Sequence, residues 1–315
     1  IYFMNTAVYL NYVGLGSNLL HLAYCHQIAD KYGPITIITL CKNLQQALNG
    51  DPKIKCVVTL DQKNKTFFGI FKISKILKSN NFDKIFIYYP SYRTQLAAKL
   101  ALIKEVNYYP VQVKKNLHLV KTAKFYTEKW LNIKNCKTET KLYIDKKIKN
   151  FASQKLKVGC KNIVLGIGSS GPTTKWGVKN YINLAKKIIN NSESYFHILC
   201  GPTESQLADE FINEIGNENC NSLSSLSISD LVPLISQCDI YIGNDSFGHH
   251  VMSQSSKPCF IIMLDTPRAY TDYSVNQYKI LPDNIDADII DHDTRVNPKD
   301  ILVDDVFNKI NSVSY

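Results

Sequence analysis

The stretch "DIYIGNDSFGHHVMSQSSKPCFIIML", Asp239 to Leu264, decides the fold class. Asp239–Gly243 is short, apolar and rich in β-favouring side chains, so it reads as a buried strand. The polar run Asn244 to His250 follows without a spacer and opens a helix, and Pro258–Leu264 is apolar and β-rich again. Two strands joined through one helix pair in parallel, by a crossover that is right-handed.

Outward from this unit the same alternation recurs. Upstream lie a strand at Asn162–Ile167, a helix at Val178–Ile189, a strand at Tyr195–Cys200 and helices at Ser205–Ile215 and Ser229–Ser236; downstream, Pro298–Ile310 reads as a last amphipathic helix. The first half uses strands at Ala7–Val13, Ile35–Leu40, Lys55–Leu60 and Lys84–Tyr89. Its helices are Asn18–Tyr32, stopped by Gly33-Pro34, then Leu44–Leu48, an amphipathic Phe67–Ser79, and Tyr92–Ile103. A lysine-rich aromatic segment, Val111–Ile148, closes that half, with helical spacing at Leu119, Ala123, Tyr126 and Trp130. The pattern predicts an α/β chain of two Rossmann-like domains facing a central cleft. Their expected bounds are 1–155 and 156–297, with a helix at 298–315 packing back on the N-terminal domain.

Composition narrows the functional classes. At 315 residues, with 45% hydrophobic and 20% charged side chains, the chain supports two cores and is globular. The formal charge is +10, yet of 37 basic residues only Arg93, Arg268 and Arg295 are arginine. Lysine, asparagine and isoleucine dominate together, the bias an AT-rich genome imposes. This diffuse charge, with no recognised motif, argues against a nucleic-acid binder. Nine cysteines at irregular intervals form no C-x-x-C pair, so they fit buried reduced thiols better than a zinc ribbon or a disulfide framework. The first 29 residues lack any charge, but Asn5, Asn11, Asn18, His21, His26 and Gln27 interrupt the apolar core a signal peptide needs. A cytoplasmic protein is expected.

Three loops after strands carry polar chemistry. In the first, Asp245 and Ser246 stand where a helix N-terminus favours a phosphate, or where a plain N-cap would sit; His250 starts the helix beyond. The second, Gly168-Ser-Ser-Gly-Pro-Thr-Thr-Lys-Trp-Gly177, offers amides, hydroxyls and Lys175 to a diphosphate, without Walker spacing. The third, Gly201-Pro-Thr-Glu204, has a carboxylate suited to the two hydroxyls of a ribose, or a simple helix start.

In order, these loops resemble glycosyltransferase family 9, the lipopolysaccharide ADP-heptose:heptosyltransferases. The resemblance rests on "YRTQLAAKLA" (Tyr92–Ala101), "IVLGIGSSGPTTKWGVKNYINLAKKI" (Ile163–Ile188), "HILCGPTESQLADEF" (His197–Phe211) and "SQCDIYIGNDSFGHHVMSQSSKPCFIIML" (Ser236–Leu264). It implies the GT-B arrangement and inverting transfer without a metal or other cofactor. Donor contacts would come from Ser169, Ser170, Thr174, Lys175, Glu204, Asp245, Ser246, Phe247, Gly248 and His250. The N-terminal half would bind the acceptor through Gly14, Gly16, Asn18, Arg93 and Thr94. The donor would be a nucleotide sugar, ADP-linked and heptose-like; the acceptor would be lipid-linked or saccharide. Lys114, Lys115, Lys121 and Lys124 would then suit peripheral contact with the inner membrane face.

Three departures stand out. The family turn Gly-Leu-Gly-Asp carries the general base, and here that position is Ser17, which does not ionise near neutral pH. Thr174 takes the place of the family's phosphate-binding lysine, with Lys175 next to it, and Phe247-Gly248 replaces the glycine after Asp-Ser. His21, one helical turn beyond Ser17, is the expected substitute base, since an imidazole titrates near operating pH. Asp245 and His250 complete the catalytic set. The alternatives are a catalytically degenerate nucleotide-sugar or glycan-binding protein, motivated by Ser17, and a nucleotide-sugar epimerase.

Overall fold

The computed structural model describes residues 4–61, 69–169, 171, 173–283, 285–291 and 294–313, with backbone alone at 115 and 116. The chain divides into two compact units, Ile1–Tyr143 and Ile144–Tyr315. The division falls before the expected 155 because the helix Lys146–Ser153 packs on the helix Ile228–Gln237 of the second unit, whereas the segment just before it stays fastened to the first. Gln27 donates to the Lys137 carbonyl at 2.9 Å and accepts its N–H at 3.1 Å, and His26 Nδ1 meets Thr140 Oγ1 at 2.8 Å.

In the first unit the order is β1 (Thr6–Leu10), α1 (Leu15–Leu20), α2 (Leu22–Tyr32), β2 (Ile35–Thr39), α3 (Leu44–Ala47), β3 (Ile54–Thr59), α4 (Gly69–Ser79), β4 (Lys84–Ile87), α5 (Tyr92–Leu100), β5 (Glu105–Tyr108) and α6 (Leu119–Leu131). The strands form one parallel sheet in the order β3-β2-β1-β4-β5. β1 and β2 are buried at every position, which explains their unbroken apolar runs: a parallel sheet is covered on both faces. Chain direction across the sheet reverses between β1 and β4, so the loops after those strands flank its ligand-binding edge. Expected as one helix from Asn18, the first helical stretch begins at Leu15 and breaks at His21, so Gly16 and Ser17 lie inside α1.

The second unit runs α7 (Lys146–Ser153), β6 (Lys161–Gly166), α8 (Val178–Ile189), β7 (Ser194–Leu199), α9 (Ser205–Ile215), β8 (Cys220–Ser222), α10 (Ile228–Gln237), β9 (Ile240–Asn244), α11 (Phe247–Ser253), β10 (Cys259–Ile262), β11 (Gln277–Ile280) and α12 (Val303–Ser312). Its parallel sheet is ordered β11-β10-β9-β6-β7-β8, reversing between β6 and β9. There Gly166 and Gly243 pair, and neither tolerates a side chain. A Cβ on Gly243 would fall 2.6 Å from the Gly166 backbone, and one on Gly166 would fall 1.8 Å from the Tyr241 hydroxyl. The closing helix belongs to the second unit and packs on α8: buried Val306 anchors α12, and Lys187 pairs with Asp304 and lies over the Phe307 ring. All nine cysteines are free thiols, seven of them buried, so no disulfide staples either unit.

Candidate functional site

The loops after β6 and β7 converge. Lys175 Nζ lies 2.5 Å from Glu204 Oε1, both side chains partly shielded. Glu204 Oε2 accepts the Gly201 N–H at 3.2 Å, and Oε1 accepts the Ser169 N–H at 3.5 Å. The Ser169 hydroxyl meets Thr174 Oγ1 at 2.5 Å, and Thr174 donates to the Gly171 carbonyl at 3.0 Å. Gly168 makes this closeness steric: a Cβ there would sit 2.5 Å from Glu204 Oε2 and 2.8 Å from the Cys200 Cα. A cation, a carboxylate and two hydroxyls thus share one corner above the sheet.

Asn244, at the end of β9, ties that corner together. It is fully buried; its Oδ1 accepts from the Trp176 N–H at 3.0 Å and the Tyr181 hydroxyl at 2.9 Å, and its amide donates to the Ile167 carbonyl at 2.9 Å. Trp176 in turn donates its indole N–H to the Ile301 carbonyl. One amide therefore fixes both ends of the Gly168–Gly177 loop.

Beyond Asn244 the chain turns into α11. Ser246 occupies the cap position, but its side chain caps nothing; it donates instead to the Tyr241 hydroxyl at 2.9 Å, which itself donates to the Asn244 carbonyl at 2.6 Å. Asp245 Oδ1 lies 3.0 Å from His249 Nδ1 and 3.8 Å from His250 Nε2. His250 is buried, and its Nδ1 is held by the Tyr273 hydroxyl at 2.9 Å. Asp245, His249 and His250 are close enough for three ligand atoms to lie within 4.8 Å. The two imidazoles are tilted against each other, with centroids 3.8 Å apart and planes inclined by 35°.

In the first unit the Gly14–His21 turn is a packed device. Asn18 is buried, donating to the carbonyls of Tyr12 at 3.1 Å and Gly14 at 2.7 Å and accepting from Thr39 Oγ1 at 2.7 Å. Those bonds occupy it as a strut, not as the acceptor contact expected. His21 is also not the base expected. It has no exposed surface, its Nδ1–H is bonded to the Ser17 carbonyl at 2.7 Å, and its ring stacks on Tyr12 with Tyr24 and Tyr88 at its edges. Burial pulls the imidazole down to about 4, outweighing the Ser17 hydrogen bond. Such a group is a weak base with no route to an acceptor.

A small cavity of about 30 Å³ opens nearby, lined by Tyr9, Asn11, Leu40, Leu60, Ile73, Ser91, Arg93 and Thr94. Ser91 caps α5 by accepting the Thr94 N–H. Burial pushes the Tyr9 phenol up, opposed by a hydrogen bond from Thr94 and the charge of Arg93.

Residues 91–280 match the sequence model of glycosyltransferase family 9 (heptosyltransferase). The chain belongs to glycosyltransferase family 9. It is a heptosyltransferase-like glycosyltransferase of GT-B fold. Solved structures agree over the full length. E. coli ADP-heptose lps heptosyltransferase II gives a TM-score of 0.73 at 15% identity, covering 98% of each chain. The glycosyl transferase family 9 protein from Veillonella parvula DSM 2008 gives 0.76 at 16%, covering 99% of this chain and 97% of that one. E. coli heptosyltransferase WaaC with ADP-2-deoxy-2-fluoro heptose gives 0.73 at 11%, covering 98% and 99%. Among curated proteins, no sequence matches the chain closely enough to count as a relative.

In this family 9 transferase, Ser169, Thr174, Lys175 and Glu204 form one group, and Asp245, Ser246 and His250 another at the end of β9. Phe247 is half-buried at the start of α11. Gly248 is buried, where a Cβ would strike Leu199 and the Tyr241 ring, so its lack of a side chain lets the helix pack close to the sheet. Ser170 lies outside the described residues. Gly14 is exposed, Gly16 and Ser17 are half-buried, and Arg93 and Thr94 line the cavity with Tyr9. Sequence reasoning passed over Asn244, His249 and Tyr273. The one available signal was Asn244, a polar residue ending an apolar strand. Among the described residues no helix is long and apolar enough to cross a membrane.

Proposed function

We propose that this transferase moves a heptose-like sugar from an ADP-linked donor, held by the second unit, to a lipid-linked or saccharide acceptor held by the first, with inversion and without a metal ion. The observation that carries this reading is the Ser169–Thr174–Lys175–Glu204 group beyond β6 and β7. Glu204 suits two ribose hydroxyls, and Lys175 beside it suits a phosphate. WaaC, of the same fold, has been solved with ADP and with an ADP-sugar, which supports the choice of base. On the acceptor side, Arg93 beside a cavity lined by Tyr9, Asn11, Ser91 and Thr94 suits a saccharide carrying a carboxylate or phosphate.

In the transfer, an acceptor hydroxyl oxygen bonds to the anomeric carbon as the carbon–oxygen bond to the diphosphate breaks. The electron pair leaves with the diphosphate, whose charge meets Lys175 and loop amides. The hydroxyl proton goes to solvent, since neither Ser17 nor the sealed His21 takes it. The test is ADP release and glycoside formation from ADP-heptose with a range of anionic saccharide acceptors. Acceptor-dependent release unaffected by EDTA is expected; no release from any nucleotide sugar overturns the reading. A second reading, a donor-binding protein without transferase turnover, is favoured by Ser17 alone. It predicts tight ADP binding with no glycoside until Ser17→Asp is introduced.

A further inference from the structure

We infer that Tyr273 is a positioning residue for the donor: its phenol fixes His250 in the tautomer that carries its proton on Nε2, the nitrogen nearer Asp245. The inference rests on the reading that Asp245, Ser246 and His250 meet the nucleotide sugar. His250 and Tyr273 stand 23 residues apart in the chain, yet the second unit seals them together, at 2% and 3% exposure. The Tyr273 hydroxyl lies 2.9 Å from His250 Nδ1, and the two rings are parallel within 6°, with centroids 5.7 Å apart. The turn that carries Tyr273 is itself clamped. Gln277, the first residue of β11, accepts the N–H groups of Tyr273 at 3.2 Å and Ser274 at 3.1 Å, and Thr271 donates to the Arg268 carbonyl at 3.2 Å. The phenol is therefore a fixed partner for the imidazole.

A neutral imidazole carries one proton, and the bond made by one ring nitrogen decides what the other can offer. A carboxylate and a diphosphate only accept hydrogen bonds, so a lone pair on Nε2 would repel both, whereas an N–H there attracts them. Asp245 does not hold the proton in place by itself. Its Oδ1 is 3.8 Å from His250 Nε2, beyond hydrogen-bond reach. Tyr273 does so from the other side of the ring, because its O–H donates into the Nδ1 lone pair and leaves the proton to Nε2. His249, packed on the same imidazole with centroids 3.8 Å apart, restrains the ring from turning over.

Long-range proton–nitrogen NMR of the intact chain, labelled with nitrogen-15 at histidine, reads the tautomer directly and needs no turnover. Of the seven histidines, the His250 signals are those lost in His250→Ala. The wild type should show His250 protonated at Nε2, and Tyr273→Phe should show a mixture of the two tautomers. With ADP-heptose as donor, Tyr273→Phe should lower kcat/KM by about 10-fold, the low end for one charge-assisted hydrogen bond. In a His250→Ala background the same substitution should add no further loss, whereas a purely structural role would make the losses add. Thermal melts check the fold. Should Tyr273→Phe melt early, the wild-type spectrum decides alone: Nε2–H supports the inference and Nδ1–H overturns it. An unchanged tautomer in folded Tyr273→Phe, or additive losses in the double variant, also overturns it. Absence of turnover in the wild type would sink the transferase reading instead, and the spectra would still decide the tautomer.

Discussion

Replacing Asn244 by alanine removes a side chain that joins the β6 loop, Trp176 and α8. The change orphans the Trp176 N–H and the Ile167 carbonyl in a space sealed from water, and it strips the Tyr181 hydroxyl of its 2.9 Å bond. Tyr181 retains a longer bond to the Gly166 carbonyl at 3.3 Å, so the main penalty falls on the two backbone groups. Each orphaned buried group costs about 1–3 kcal/mol, giving a loss of about 2–6 kcal/mol in the second unit. With a urea slope of about 2 kcal/mol per molar, the unfolding midpoint should fall by about 1–3 M. The chain has two tryptophans, so in a Trp130→Phe background the fluorescence of Trp176 follows this unit alone. Because Lys175 precedes Trp176, ADP affinity without denaturant should fall alongside. A midpoint that barely moves, with ADP affinity unchanged, would refute Asn244 as the strut of this site.

Other consequences are as specific. Lys175→Met should weaken ADP binding by about 10–100-fold by calorimetry, the range of a charge-assisted hydrogen bond; unchanged affinity would remove Lys175 from the donor site. Gly168→Ala should displace Glu204, since the Cys200 backbone at 2.8 Å cannot yield, and a crystal structure with Glu204 in place would contradict the packing. His21→Phe should leave ADP release intact but flatten part of the acid dependence of stability. With its folded value near about 4 against an ordinary 6.5, His21 binds its proton more readily in the unfolded chain. Its stabilising contribution is whole above pH 6.5 and disappears as pH falls toward 4, by about 1.4 kcal/mol per pH unit. Urea midpoints compared with wild type across that window measure it; parallel curves would mean the ring is not sealed. Ser17→Asp should raise turnover by about 100- to 10,000-fold where no other base acts, and a variant no faster than wild type would place the base elsewhere.

The parallel sheets and most elements were legible in the sequence because buried parallel strands write themselves as apolar runs between amphipathic stretches. β5, β8 and β11 escaped because they are short and mixed: Glu105-Val-Asn-Tyr108, Cys220-Asn-Ser222 and Gln277-Tyr-Lys-Ile280 carry no run of that kind. The loops at Ser169–Lys175, Glu204 and Asp245 were legible as polar residues after strands, and the fold brings the first two together. His21 shows where spacing misleads. One turn from Ser17 is where a base would be wanted, but spacing along a helix does not say whether Tyr12, Tyr24 and Tyr88 close over the ring. Asn18 misled in the same way, since its three bonds run to residues as distant as Thr39. Burial is a property of the tertiary neighbours, and no local pattern records it.

The most direct measurement is equilibrium binding of ADP, GDP, UDP and CMP to the intact chain, followed by thermal shift and calorimetry. One site per chain, with ADP preferred and with affinity lost together in Lys175→Met and Glu204→Ala, is the predicted result. Failure of every nucleotide to bind, or ADP binding untouched by both substitutions, would contradict the assignment of the corner beyond β6 and β7 to the donor.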